Sequence, residues 1–327
     1  MKAISTLLAA GACAALSAIG SSLAWPQAYP TKPVRVIAPS GAGGPVDLIC
    51  RVVAQGLTDA LKQQFVVENR VGAAGLIGTE IASKAAPDGY TLLFGFSGPL
   101  AIVPNLNPNT PYDPTTDLVA ISQVASAPYV LLTHPSVPAK NVKELVALAK
   151  SRPGKMNFGS GGVGVGIHMA GELFSQVAGI KLVHVAYKGA APAMTAVMAG
   201  EVDMMFNGIP PTLSAIKAGK VRVIAIGSDK RTELLPGVPT ILESGINFST
   251  EGWYGFVAPK GTPQPVIDTL HKTLTQVMTS PDMKASMAKL AVDPVATSPA
   301  AFAKFIRAEN VRWAKVIDAA GLKGKAK

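Results

Sequence analysis

Hydrophobic positions along this chain follow two rhythms. Short apolar runs at 34–38, 65–68, 90–96, 182–186, 202–206 and 221–226 have the length and β-branched character of buried strands. Between them apolar residues recur at helical spacing, as in Leu48, Ile49, Val52, Val53, Leu57 and Leu61. Strand and helix patterns alternate over the first hundred mature residues and again over about 130–226, which predicts an α/β protein with two mostly parallel lobes. Two strands at 118–124 and 129–133, after a proline- and asparagine-rich surface loop at 104–117, carry the chain from one lobe to the other, and a crossing strand from Glu251 returns it. Two more helices follow, one with Val266, Ile267, Leu270, Leu274 and Val277 on its apolar face. The last starts at Ser298-Pro299, buries Phe302, Phe305, Ile306, Trp313 and Ile317, and stops at Gly321. Packed back on the first lobe, they make it discontinuous: 25–127 plus 252–327, with 128–251 as the second lobe.

Two glycine loops interrupt this pattern at corresponding places. The first apolar run ends at Pro39, and Ser40, Gly41, Ala42, Gly43 and Gly44 lead to Pro45, a residue suited to the first position of a helix, with Asp47 in the first turn. About 120 residues later a short strand at 155–158 meets the loop 159–166, which holds Ser160, Gly161, Gly164, Val165 and Gly166, and a helix follows with His168 near its start. Strand, glycine loop and helix start together present unpaired backbone N–H groups and the positive end of a helix dipole, a site for an anion. One loop alone is a weak signal; two predict that both lobes grip one ligand. Ser97 and Asn207, each at the carboxyl end of a strand, complete the candidate ligand set, since α/β sheets place ligands at that edge. Asp47 has two readings, a first-turn carboxylate that stabilises the helix dipole by about 0.3–1 kcal/mol or a contact to the ligand or its water. His168 likewise either packs behind the loop or touches the ligand. Lys188 either supplies charge or is an ordinary surface lysine.

The composition narrows the setting. A hydrophobic content of 48% with only 15% charged residues describes a well-buried globular protein of 327 residues, room for two domains. Residues 1–24 stand apart, with a basic start at Lys2, an apolar run of small residues and Ser22-Leu23-Ala24 as a cleavage signal. They predict an exported, periplasmic protein cut after Ala24. Cys13 raises a minor alternative, lipid anchoring, although leucine is missing three places before it. Cys50 is then the only mature cysteine, so no intramolecular disulfide forms. The net charge of +10 is spread singly, with no basic run interleaved with aromatics, which argues against nucleic acid and leaves a bias toward anionic solutes.

Catalytic equipment is not visible. His134, His168, His184 and His271 lack partners at metal-ligand spacing, so neither a metal nor a cofactor is expected. Pro99 and Phe158 stand where a nucleophile elbow at Ser97 or Ser160 needs glycine. The first loop lacks the Gly-Lys-Ser/Thr ending of a nucleotide site, and Glu201 with Asp203 reads as surface rather than as an acid/base pair.

The phrases Y-P-T-K-P-V-R-V-I-A-P from Tyr29, G-G-P-V-D from Gly43, V-E-N-R-V-G-A-A-G from Val67 and P-D-G-Y-T-L-L from Pro87 resemble the solute receptors of tripartite tricarboxylate transporters, the Bug-type receptors. So do V-H-V-A-Y-K-G from Val183, A-G-E-V-D from Ala199, L-P-G-V-P-T from Leu235, and Trp253 with A-P-K-G-T-P from Ala258. The resemblance spans essentially the whole mature chain. It implies a monomeric periplasmic receptor of the Venus-flytrap type that closes on a small carboxylate and hands it to an integral-membrane permease. It also implies that the loops at 40–47 and 160–168 hold the carboxylate, largely through backbone N–H groups and water. Three departures stand out: Val46 replaces the usual hydroxyl residue, Val165 and Gly166 replace one or two more, and Ala186 stands where proline is usual. Each lost hydroxyl removes a bond worth about 1 kcal/mol and makes the pocket more apolar, which favours an acid with an apolar or aromatic body over a tricarboxylate. A carboxylate sensor for a membrane histidine kinase has the same fold and pocket and is the alternative.

Overall fold

The computed structural model describes residues 29–324, so the predicted leader at 1–24, with Cys13, lies outside the described residues. The chain from Lys32 onward forms one compact unit.

That unit is built on a ten-stranded mixed sheet. In its first half β1 (Val34–Ala38) lies between β2 (Phe65–Asn69) and β3 (Thr91–Phe96), all parallel, with helices α1 (Pro45–Leu61) and α2 (Leu76–Ser83) as crossovers. After β3 the chain passes through a π turn at Gly98–Ile102 into the short helix α3 (Val103–Leu106), so the predicted loop at 104–117 begins later than its composition implied. In the second half α4 (Val142–Ser151) precedes β5 (Met156–Ser160), followed by α5 (Gly166–Ala178), β6 (Leu182–Ala186), α6 (Ala190–Ala199) and β7 (Met204–Gly208). Strand β5 runs parallel to both β6 and β7. The short α7 (Leu213–Lys217) and β8 (Arg222–Ile226) complete this half.

One long strand runs through both halves, and the chain returns after β8. Residues 118–124 and 129–133 are not two strands but parts of one, the 16-residue β4 (Leu118–Thr133). Its first part pairs antiparallel with β9 (Glu251–Pro259), and its last part pairs antiparallel with β7 and β8. Pro128, which made the sequence look interrupted, sits in the ladder opposite Glu251. The long strand accommodates register shifts near Ile121 and Val124 as bulges.

The register explains why the two glycine loops meet. Strand β9 is antiparallel to both β3 and β4, so β1 and β3 run in the direction of β4. Strands β5 and β7 run against it. Both carboxyl edges therefore point at the middle of β4. Phe96 aligns through Tyr254 with Ala125, and Gly208 aligns with Tyr129, so the edges face each other across residues 126–128.

The carboxyl-terminal helices are α8 (Gln264–Thr279), α9 (Pro281–Lys289) and α10 (Pro299–Ala319), with the two-residue strand β10 (Asp293–Pro294) before the last. Helix α8 packs on α1, and α10 packs on β4 and the π turn and also reaches α5 in the second half. Phe302, Ile306, Trp313 and Ile317 are buried as predicted, and Phe305 is half-buried with its ring edge-on to Trp253. The buried Glu309 carboxylate accepts from the indole N–H groups of Trp253 and Trp313, each at 3.0 Å, which fixes this helix against β9.

Candidate functional site

The first loop is held open by Asp47. Its Oδ2 accepts from the Gly43 N–H at 2.8 Å, and its Oδ1 accepts from Arg51 Nε at 3.0 Å and Asn69 Nδ2 at 2.8 Å. The same Asn69 amide donates to the Ser40 carbonyl at 3.1 Å. Burial alone would raise the pKa of this carboxyl; the bonds from Arg51, Gly43 and Asn69 more than offset it and hold the group below its ordinary range. Asp47 is thus a brace for the loop, with both oxygens used inside it. Among the described residues no partner takes the N–H groups of Gly41, Ala42 or Gly44, and the Ser40 hydroxyl is buried without one.

The second loop is braced from behind by a stack of rings. Ser160, fully buried, has its Oγ 2.6 Å from His184 Nε2 and donates to the Gly162 carbonyl at 3.0 Å. His168 Nδ1 accepts from the Gly164 N–H at 3.1 Å, and its ring lies 3.9 Å from that of His184, centre to centre. Gly162 and Gly164 take φ values of 130° and 83°, which a side chain would resist, and a Cβ on Gly161 would come within 2.8 Å of the Ala190 nitrogen. The N–H groups of Gly161, Val165 and Gly166 have no partner among the described residues.

Burial, followed by the nearness of His168, pushes His184 down to about 4. The folded protein therefore takes up this proton only near pH 4, whereas the unfolded chain takes it up near 6.5. The stability tied to neutral His184 is complete above that range and falls as pH drops through it, by roughly 1–2 kcal/mol once partial exposure of the ring is allowed for. Urea unfolding near pH 7 and near pH 5 should show wild type losing more stability than His184→Gln. The comparison cancels Glu251 and Asp293, whose raised values act in the opposite direction. Equal losses would remove His184 from the account.

Ser97 and Tyr129 lie where the loops converge. A Cβ placed on Gly166 would fall 2.3 Å from the Tyr129 hydroxyl and 3.7 Å from Ser97 Oγ. Ser97 is buried at the end of β3, and both hydroxyls face the Gly166 backbone with no hydrogen bond to another described residue. Burial, with Tyr254 and Glu251 nearby, pushes the Tyr129 phenol upward, so it stays a protonated donor. The first loop reaches the same place through the turn after Arg70. A Cβ on Gly75 would lie 3.2 Å from the Pro39 carbonyl and 3.1 Å from the Pro99 ring. That turn carries two left-handed alanines, Ala73 and Ala74, at φ of 45° and 54°. Such strain persists only where the surroundings impose it, and it recurs at ligand clamps.

Of the predicted set, the structure therefore brings Ser97, Val165, Gly166 and the 40–44 loop to one edge, with Asp47, Ser160 and His168 behind the loops as supports. Asn207 stands apart. It pairs with Val130 while Gly208 pairs with Tyr129, so strand alternation turns it to the other face of the sheet from Tyr129. Its Oδ1 accepts from the Gly208 N–H at 2.9 Å. Sequence reading missed Tyr129 and the strained alanines. Nothing local marks Tyr129; the V-G-A-A-G run does mark a tight turn but not its handedness.

A family model described as "Tripartite tricarboxylate transporter family receptor" matches residues 49–322. The chain is 36% identical over 299 residues to the protein BugT of Bordetella pertussis, covering 91% of this chain and 92% of that one. An R. palustris protein solved with adipate is 31% identical, with a TM-score of 0.77 over 90% of this chain and 98% of its own. MatC from Rhodopseudomonas palustris with bound malate is 27% identical, with a TM-score of 0.74 over 88% of this chain and all 100% of its own.

Proposed function

Since the chain belongs to the tripartite tricarboxylate transporter receptor family, we propose that it is a periplasmic receptor for a small organic carboxylate, delivered to an integral-membrane permease. The observation that carries this reading is the donor set: free amides from two glycine loops, the unpartnered Ser40 hydroxyl, and the Ser97 and Tyr129 hydroxyls that meet beside Gly166, while Asp47 behind the first loop has both oxygens occupied. Donors without acceptors suit an anion, and backbone amides suit a carboxylate. The relatives solved with adipate and malate support that class of ligand. Closure is a rotation of 128–251 against the remainder, working as a monomer, after export by a leader cut behind Ala24. Anchoring through Cys13 is the lesser route.

The ligand leaves unaltered in this reading. Ser160 and His184 are close enough for a nucleophile and its base, but Ser160 is fully buried and its hydroxyl is engaged by Gly162. The pair acts as a loop brace. Val46, Val165 and Gly166 add no hydroxyl, so the acid carries an apolar body. Titration calorimetry against mono-, di- and tricarboxylates should show a six-carbon dicarboxylate or an aromatic acid binding at least roughly 100-fold more tightly than citrate, about 2.7 kcal/mol. Tight citrate binding with no affinity for the others would overturn the preference; no binding of any acid would overturn the receptor reading.

A further inference from the structure

A cavity of about 530 Å³ opens beside the crossing strands and is lined by Gln123, Ser126 and Pro128 of β4 and Glu251 of β9. Pro128 and Tyr129 project to opposite faces of β4, so this cavity lies on the other side of the strand from the glycine loops. The rest of its wall comes from 228–234 after β8 and from α9 and β10. Leu234, Ala291, Val292 and Val295 make part of it apolar. Asp229, Glu233, Glu251 and Asp293 bring four carboxylates, none with an ion-pair partner among the described residues. Against them stand Lys230 and Lys284, since the third cation of the wall, Arg231, is held by Glu243 at 2.9 Å.

The Gln123 side chain is the second observation. It is only 8% exposed, lines the cavity, and its carboxamide has no hydrogen-bond partner among the described residues. A carboxamide on so buried a side chain, with no protein partner, turns its polar atoms into the cavity, where they are free to meet a solute. Burial first, and then neighbouring carboxylates, holds Glu251 and Asp293 above their ordinary range, against the opposing hydrogen bond from Ser126 to Glu251. The carboxylates are too far apart to hold a metal: no group of three possible ligands assembles among the described residues. Separated charges across an apolar wall suit an extended organic dication.

We propose that this cavity binds a linear diamine, one ammonium at Glu251 and the other at Asp293, with methylenes on the apolar wall and the Gln123 carbonyl accepting from an ammonium group. The site stands independently of the acid-binding reading.

The test is titration calorimetry of the full mature chain with 1,4-diaminobutane and with n-butylamine at matched salt. The diamine should bind roughly threefold more tightly than the monoamine, since it adds a second ion pair at the exposed Asp293. Glu251→Gln, at a half-buried carboxylate, should weaken it about tenfold, and Asp293→Asn about threefold. Exposed Asp229→Asn, which leaves the packing intact, should weaken it by about threefold and keeps the test valid if the other variants fail to fold, as checked by circular dichroism melting. Equal affinity for the two amines, or diamine binding unchanged in every folded variant, would overturn the proposal.

Discussion

Replacing Gly166 with alanine is expected to weaken acid binding by about 100-fold or more while leaving the protein folded. The new methyl would sit 2.3 Å from the Tyr129 hydroxyl, far inside contact distance. That hydroxyl cannot simply retreat, because a Cβ on Gly252 would find it at 3.4 Å on another side. Either the ring or the loop must shift by about 1 Å, and a displacement of that size at a positioned donor costs roughly two orders of magnitude. Stability should fall by only about 1–3 kcal/mol, the usual cost of overpacking. Calorimetry on Gly166→Ala, Tyr129→Phe and the double variant measures the coupling. The double variant should bind better than Gly166→Ala alone, since removing the hydroxyl removes the clash. Unchanged affinity in Gly166→Ala would mean that the ligand does not sit against this loop.

The second large effect belongs to Asp47→Ala. The substitution strands the Gly43 N–H, the Arg51 guanidinium and the Asn69 amide around a hole, and it loosens the Asn69 bond to the Ser40 carbonyl. Three lost hydrogen bonds, one to a charged donor, at a site only 2% exposed should lower stability by about 2–4 kcal/mol. Acid affinity should fall about tenfold or more although Asp47 touches no ligand in this account, because the loop amides lose their common direction. Asp47→Asn should fall between the two, keeping volume and one acceptor. Urea unfolding together with calorimetry separates the effects. A stable variant with intact affinity would show that the loop holds its shape without the carboxylate.

Much of this arrangement was legible from the chain itself, and the exceptions have physical causes. The strand-loop-helix signature at 34–61 was complete in the local pattern, down to Gly44 as cap and Pro45 at the first helical position. The division of β4 into two strands failed because Pro128 lacks an N–H, and only pairing to β9 and β7 on either side holds the strand together. Helix α9 was missed since it buries little beyond Met283 and Met287, too few to set a rhythm. The strand pattern at 90–96 gives no sign of the π turn that follows Ser97, although Pro99 suits a helix start. Tyr129 was invisible because its importance comes from Gly166, far along the chain, and no local pattern records such a meeting.

The unbroken β4 limits how the grip can work. Its two ends belong to different halves of the sheet, so sliding one half past the other would break a ladder of β4, either to β9 or to β7 and β8. What the strand does allow is torsion along its own axis, and Pro128, with no amide proton to lose, lies at the level where the two edges meet. If 128–251 rotates against the remainder as proposed, β4 would serve as a torsion spring with Pro128 at its centre, and the jaws would need no separate hinge pin.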